Sequence, residues 1–131
     1  MKRIYADNAA TTKMSEAAVK IFAETMENNY GNASSLHWFG RQAAVVLQNS
    51  REIIAKHINA EPREVYFTSS GSESDNQAVL TGAKYGAAQN KRHIISSRFE
   101  HHAVLHALDK LKNEGFEITL LEVYENGLVR P

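Results

Sequence analysis

The residues with the clearest chemical potential are Ser69-Ser70-Gly71-Ser72, which follow the apolar run Val65-Tyr66-Phe67. Val, Tyr and Phe are strand formers, so the sequence predicts a short buried strand that breaks at the Ser/Gly turn and enters a helix. Gly71 is expected to supply backbone freedom at the turn. Ser72 is the expected N-cap, with Asp75 completing a capping box. The first turn of such a helix presents unpaired N–H groups and the positive end of its dipole, which suits a phosphate. Hydroxyls at Ser69, Ser70 and Ser72 add further donors. The same residues also suit an ordinary capped junction, and Glu73 and Asp75 would repel an anion unless they point away. No Gly-Lys-Ser/Thr follows, so this is not a P-loop. The three glycines of a dinucleotide fingerprint are missing.

Histidines supply the second candidate group. His101 follows another strand-like segment, His93-Ile94-Ile95-Ser96-Ser97, through the loop Arg98-Phe99-Glu100. His37 lies beside Trp38 in Tyr30–Arg41, a stretch rich in turn residues. Such loops often carry function, although Trp38 and Phe39 would equally pin an ordinary loop to the surface. His102 and His106 stand at i, i+4, a spacing that can bind zinc. No HExxH glutamate and no third ligand accompany them, so a solvated helix face explains them better and no metal site is expected. His57 and His93 read as edge residues without a chemical role.

The elements that must position these groups follow from periodicity. Ser15 caps a helix to about Glu27, with Val19, Phe22, Ala23 and Met26 on one face. A second helix is expected from Gln42 to Ile58, with Ala43, Leu47, Ile54 and Ile58 inward, ended before Pro62. From Val65 strands and helices alternate. Val79, Gly82, Ala83 and Gly86 form a small-residue stripe that would let the next helix lie close to a sheet. Strand 93–97, the loop Arg98–His101, and a helix to Asn113 with Val104, Ala107, Leu108 and Leu111 buried come next. Gly115 then stands as the C-cap glycine, before strand 116–123 and a turn at Glu125-Asn126-Gly127. This order predicts an α/β fold of parallel strands with right-handed crossovers. Residues 1–62 read as an N-terminal segment with leading helices, and 63–131 as a βαβαβ part. Ligands of such sheets sit at the carboxyl ends of the strands. A ligand with a phosphate and a flat ring would therefore meet both the Gly71–Ser72 turn and His101.

Charge is balanced, with 15 basic and 15 acidic residues in 131 and a pI near 7.0. Nothing suggests nucleic acid or a membrane surface, and no apolar run has the length of a bilayer span. Cysteine is absent, which excludes disulfides, thiolate metal sites and a cysteine nucleophile within these residues. A soluble cytoplasmic protein is expected.

The motifs resemble those of the NifS/IscS-type cysteine desulfurases, in the class V branch of the fold-type-I pyridoxal-phosphate enzymes. Asp7-Asn8-Ala9-Ala10-Thr11-Thr12 is similar to the family's D-x-A-A-T-T. Gly31-Asn32-Ala33-Ser34-Ser35-Leu36-His37 with Gly40 is similar to G-N-P-S-S-x-H-x-x-G, with Ala33 replacing proline. Phe67 to Asn76 is similar to F-T-S-G-(A/G)-T/S-E-S-D-N, and Glu100-His101-x-Ala103-Val104-Leu105 to E-H-x-A-V-L. The resemblance covers the whole chain in order.

The resemblance implies an incomplete large domain of a fold-type-I pyridoxal-phosphate transferase, with parallel strands and flanking helices. It implies that Gly71 and Ser72 hold the cofactor phosphate, and that His101 stacks on the pyridine ring and aids proton transfer. It places Asn8, Ala9, Thr11, Asn32 and His37 near the substrate. It implies an enzyme that takes sulfur from L-cysteine as a persulfide, releases alanine, works as a homodimer and serves a sulfur-acceptor or scaffold protein. Family members are much longer. No lysine here lies in the Ser-x-His-Lys context of the Schiff-base lysine, and the catalytic cysteine is missing, so these residues alone are expected to be inactive. A stand-alone phosphate- or nucleotide-binding half-domain, and a longer protein that is a selenocysteine lyase, are the alternatives.

Overall fold

Along the chain run α1 (Glu16–Asn28), α2 (Trp38–Ile58), a single 3-10 turn (Pro62–Glu64), α3 (Gly71–Ala87), β1 (His93–Ser97), α4 (His102–Asn113) and β2 (Glu117–Leu121). This computed structural model describes residues 3–129; Met1, Lys2, Arg130 and Pro131 lie outside that description. Internal packing divides the chain into two units, Met1–Tyr66 and Phe67–Pro131.

In the first unit, α1 starts where the Ser15 hydroxyl accepts the Ala18 N–H at 3.2 Å. Val19, Phe22 and Met26 share a face as the spacing demands, yet they are 51, 60 and 66% exposed, and α1 has no buried residue. α2 begins at Trp38, earlier than the expected Gln42, so Trp38, Phe39 and Gly40 are helical and not part of the loop. The cause is a histidine cap: His37 Nδ1 accepts the Gly40 N–H at 3.3 Å. Close approach adds to it, because a Cβ on Gly40 would lie 2.3 Å from the Ser35 carbonyl oxygen. Tyr30 stacks on Phe39 with centroids 5.6 Å apart. Asn59 in the left-handed region (φ 55°) ends α2 before Pro62. Ala55 is buried, but Leu47, Ile54 and Ile58 are not, contrary to expectation. The Arg51 Nε–H donates to the Val65 carbonyl at 3.1 Å.

In the second unit, β1 and β2 pair in parallel from His93↔Glu117 to Ser97↔Leu121, joined by α4. The second strand is shorter than the expected 116–123. The Val65–Phe67 segment is extended but is not a strand: among the described residues nothing forms a ladder with it, and strand identity depends on a partner. The Glu117 N–H donates to the Arg92 carbonyl and the Arg98 N–H to the Leu121 carbonyl. Alternation then turns the backbone groups of Ile94 and Ser96 toward β2, and those of His93, Ile95 and Ser97 toward the opposite edge. The two strands are also linked by His93 Nε2 and Thr119 Oγ1, 2.7 Å apart.

The core centres on Leu111, 1% exposed, with Phe116 and Ala83, and with Val79, Leu80, Ala87, Ile94 and Ile118 packed around them. The Arg92 guanidinium covers the Phe116 ring at 4.5 Å from its centroid. The Val79–Gly86 stripe does not lie flush on the sheet as expected. α3 packs on α4, and a groove of about 420 Å³ stays open between the stripe and β1. Gly115, at φ +85°, turns the chain from α4 into β2 as its position predicted.

Candidate functional site

The junction into α3 is built from short polar bonds. Ser70 is extended (φ −164°, ψ 163°), and its Oγ accepts the Glu73 N–H at 3.3 Å. The Ser70 carbonyl accepts the Ser74 N–H at 3.1 Å. Glu73 reaches back, its Oε2 accepting both the Ser69 N–H and the Ser69 hydroxyl at 2.7 Å. Thr68 Oγ1 lies 2.6 Å from Ser74 Oγ and donates to the Ser70 carbonyl at 3.1 Å.

The cap is therefore Ser70 with Glu73, not Ser72 with Asp75. Glutamate at the third helical position is long enough to reach past the cap residue, and Ser72 is already inside the helix. Gly71 is likewise an ordinary first-turn residue, absent from the positive-φ glycines, so its expected turn freedom is not used. The Ser69–Glu73 bonds hold the Glu73 carboxyl below the ordinary glutamate range.

These bonds decide which groups remain for a ligand. The Ser69 hydroxyl is committed to Glu73, and Ser70 Oγ receives an amide. Among the described residues, the Gly71 and Ser72 amides and the Ser72 hydroxyl make no hydrogen bond. Gly71 and Ser72 are both exposed to solvent. A helix of 17 residues starts there, and its N-terminal amides and dipole suit an anion.

His101 caps α4, its Nδ1 accepting the Ala103 N–H at 3.1 Å. The acceptor role at Nδ1 places the ring proton of the neutral imidazole on Nε2 and fixes the ring's orientation. Asn76 ties the two helix starts together: its Nδ2 donates to the Ser72 carbonyl at 2.8 Å and to the Ala103 carbonyl at 3.5 Å. Gly71, Ser72 and His101 thus stand at one end of the α3–α4 pair.

The other expected site residues belong to the first unit. The Asp7 carbonyl accepts the Ala10 and Thr11 amides at 3.3 and 3.4 Å, folding Asn8 and Ala9 into a turn. Tyr5 Oη lies 2.9 Å from the Asp7 carbonyl oxygen and 3.2 Å from that of Thr11. Asn32 Oδ1 accepts the Ser34 N–H at 2.9 Å. His37 is the cap of α2. Glu73 and Asn76 were missed as site-shaping residues, although Ser70-x-x-Glu73 carries the capping-box spacing in plain view. His102 and His106 stack at 5.9 Å, and among the described residues no group of three or more His, Cys, Asp or Glu could hold a metal.

A parallel ladder with flanking helices thus carries, at one end of the α3–α4 pair, the helix start of Gly71 and Ser72 and the imidazole cap of His101. Residues 4–131 match the aminotransferase class-V family, and the chain belongs to that family. It is 44% identical over 131 residues to the cysteine desulfurase IscS of Azotobacter vinelandii, covering 98% of this chain and 32% of that protein. A solved NifS-like protein superposes with a TM-score of 0.89 at 33% identity, over 98% of this chain and 35% of that one. SspA, solved in complex with cysteine, superposes with a TM-score of 0.75 at 30% identity, over 88% of this chain and 33% of that one. The resemblance to NifS/IscS-type proteins and the fold class are both borne out. The chain spans about a third of the length of these relatives. No helix among the described residues is long and apolar enough to cross a membrane.

Proposed function

We propose that this chain contributes the phosphate-holding and ring-stacking part of a pyridoxal-phosphate-dependent cysteine desulfurase. The observation that carries the proposal is the pair of open amides at Gly71 and Ser72, set at the same helix end as the oriented ring of His101. Gly71 and Ser72 would bind the cofactor phosphate through their amides, with the Ser72 hydroxyl as a third donor. His101 would lie against the pyridine face and hold a proton at Nε2 for transfer. Bound there, pyridoxal phosphate supplies the electron sink for carbanion chemistry at the substrate amino acid. Family membership and the names of the relatives support L-cysteine as substrate, with alanine and a protein-bound persulfide as products.

Asn8, Ala9, Thr11, Asn32 and His37 would line the substrate side. The whole enzyme would act as a cytoplasmic homodimer, passing sulfur to an acceptor for iron–sulfur cluster assembly or thiolation. This chain, without a cysteine or the Schiff-base lysine context, would not turn over alone.

Titrating the chain with pyridoxal phosphate while following backbone amides by NMR tests the reading. Saturable shifts at Gly71 and Ser72, absent with dephosphorylated pyridoxal, are expected. Equal response to both compounds, or none, would overturn it. Release of alanine from added cysteine would overturn the claim of inactivity.

A further inference from the structure

An acidic side chain beside an anion site is an electrostatic liability, and Glu73 stands within the first turn of α3. Coulomb repulsion alone would favour a neutral residue there. The geometry shows what the carboxylate does in return. Both Ser69 contacts, to the N–H and to the hydroxyl, end on the same oxygen at 2.7 Å. They close a small ring between the incoming chain and the helix, and the Ser70 cap and the Thr68–Ser74 hydroxyl pair close others. The ring removes the Ser69 donors from the ligand's reach and fixes the peptide that precedes the open amides. The carboxylate is aimed backward at Ser69, away from the Gly71 and Ser72 amides it would otherwise compete for.

We infer that Glu73 is a positioning residue that clamps the Thr68–Ser70 loop so that the Gly71 and Ser72 amides are presented, already ordered, to a phosphate. This rests on the functional reading above. A preorganised loop spares the ligand the entropy of ordering it, so the clamp strengthens binding even though its charge opposes it. The two effects have opposite signs, which makes the role separable from simple electrostatics. Removing a mere repulsive charge tightens phosphate binding; removing a clamp weakens it.

The test uses the chain itself and its Glu73→Ala and Glu73→Gln variants, with pyridoxal phosphate as the probe. Amide NMR reads affinity at Gly71 and Ser72, and hydrogen exchange reads protection of the Ser69 amide. Glu73→Ala is expected to weaken pyridoxal phosphate binding on the order of tenfold and to speed Ser69 exchange by a similar factor. The isosteric Glu73→Gln retains an acceptor oxygen and is expected to recover part of both. Tighter or unchanged binding in Glu73→Ala, or unchanged Ser69 exchange, overturns the clamp. If wild-type Gly71 and Ser72 do not respond to pyridoxal phosphate, the functional reading fails. Ser69 exchange then decides the clamp alone: loss of protection in Glu73→Ala upholds it, and no change overturns it. Unaltered amide shifts in β1 and β2 serve as the folding control for each variant.

Discussion

His101 Nδ1 receives the Ala103 N–H at 3.1 Å, so one imidazole starts α4 at the end of the α3–α4 pair that also carries the Gly71 and Ser72 amides. Its capping and its proposed stacking role come apart in a pair of substitutions. His101→Ala removes the cap, with an expected loss of about 0.5–2 kcal/mol in stability. His101→Asn restores a capping oxygen and most of that stability, but not an aromatic face. Chemical denaturation should therefore separate the variants, while both lose affinity for pyridoxal phosphate. Wild-type affinity in His101→Asn would remove the ring from the site.

Gly40 and Gly71 should respond differently to the same added methyl group. At Gly40 a Cβ would come within 2.3 Å of the Ser35 carbonyl and 2.7 Å of the Asn32 carbonyl, both backbone atoms. Gly40→Ala is expected to destabilise by about 1–3 kcal/mol, as overpacking does. At Gly71 a Cβ meets nothing within 4 Å, and alanine is the better helix former. Gly71→Ala should keep or slightly raise the thermal midpoint.

Leu111 is the side chain on which the second unit closes, 1% exposed against Phe116 and Ala83. Leu111→Ala is expected to lower stability by about 2–5 kcal/mol, measured by urea unfolding monitored through far-UV circular dichroism. A change below 1 kcal/mol would mean that the surroundings collapse to fill the space.

Acid should act through particular carboxylates. Glu73 is held below the ordinary glutamate range by the Ser69 bonds, and Glu114 by Lys110, through a hydrogen bond and then charge attraction. Because these folded-state values are depressed, their stabilisation is complete above the unfolded glutamate value. It disappears as pH falls through the folded ones. Carboxyl NMR titration should show both groups deprotonating at lower pH than glutamate in an unfolded chain. Glu114 should move back toward the ordinary range in Lys110→Met, with the weaker attraction of Lys84 remaining.

Exposed apolar faces should make the chain associate when it is alone in solution. Val19, Phe22 and Met26 on α1 are all more than half exposed, and the outer edge of β1 lacks a partner among the described residues. Such surfaces recruit other copies. Light scattering is expected to give a mass above the 14.6 kDa of one chain. A monodisperse monomer at high concentration would contradict this.

Local signals in the sequence proved dependable where the structure is local. Ser15, Asn59 and Gly115 end or begin their elements as their residue types predict, and strand 93–97 falls where the apolar run lies. The misreadings arise where a residue's role depends on something distant or on competing neighbours. Val65–Phe67 has strand composition but forms no ladder among the described residues. Leu47 and Ile54 have helical spacing, but each is still 39% exposed. At the α3 start several serines could cap, and only the reach of Glu73 to Ser69 selects Ser70. The expected neighbourhood of Gly71 and His101 was argued from two strands, only one of which forms; in the structure it is the α3–α4 pair that carries both helix starts. The Asn76 bridge that links them was not legible, since an asparagine in a helix gives no hint of a partner 27 positions away.

The in-register pairing of His93 with Glu117 also has a kinetic side. Parallel neighbours cannot meet through a tight hairpin, so every residue of α4 must fold back before the first rung forms. Helical turns assemble in microseconds or less, whereas closing that crossover carries the larger entropic barrier. Pulse-labelled refolding should accordingly find amides of α4 protected before those of β2, with the ladder as the late event.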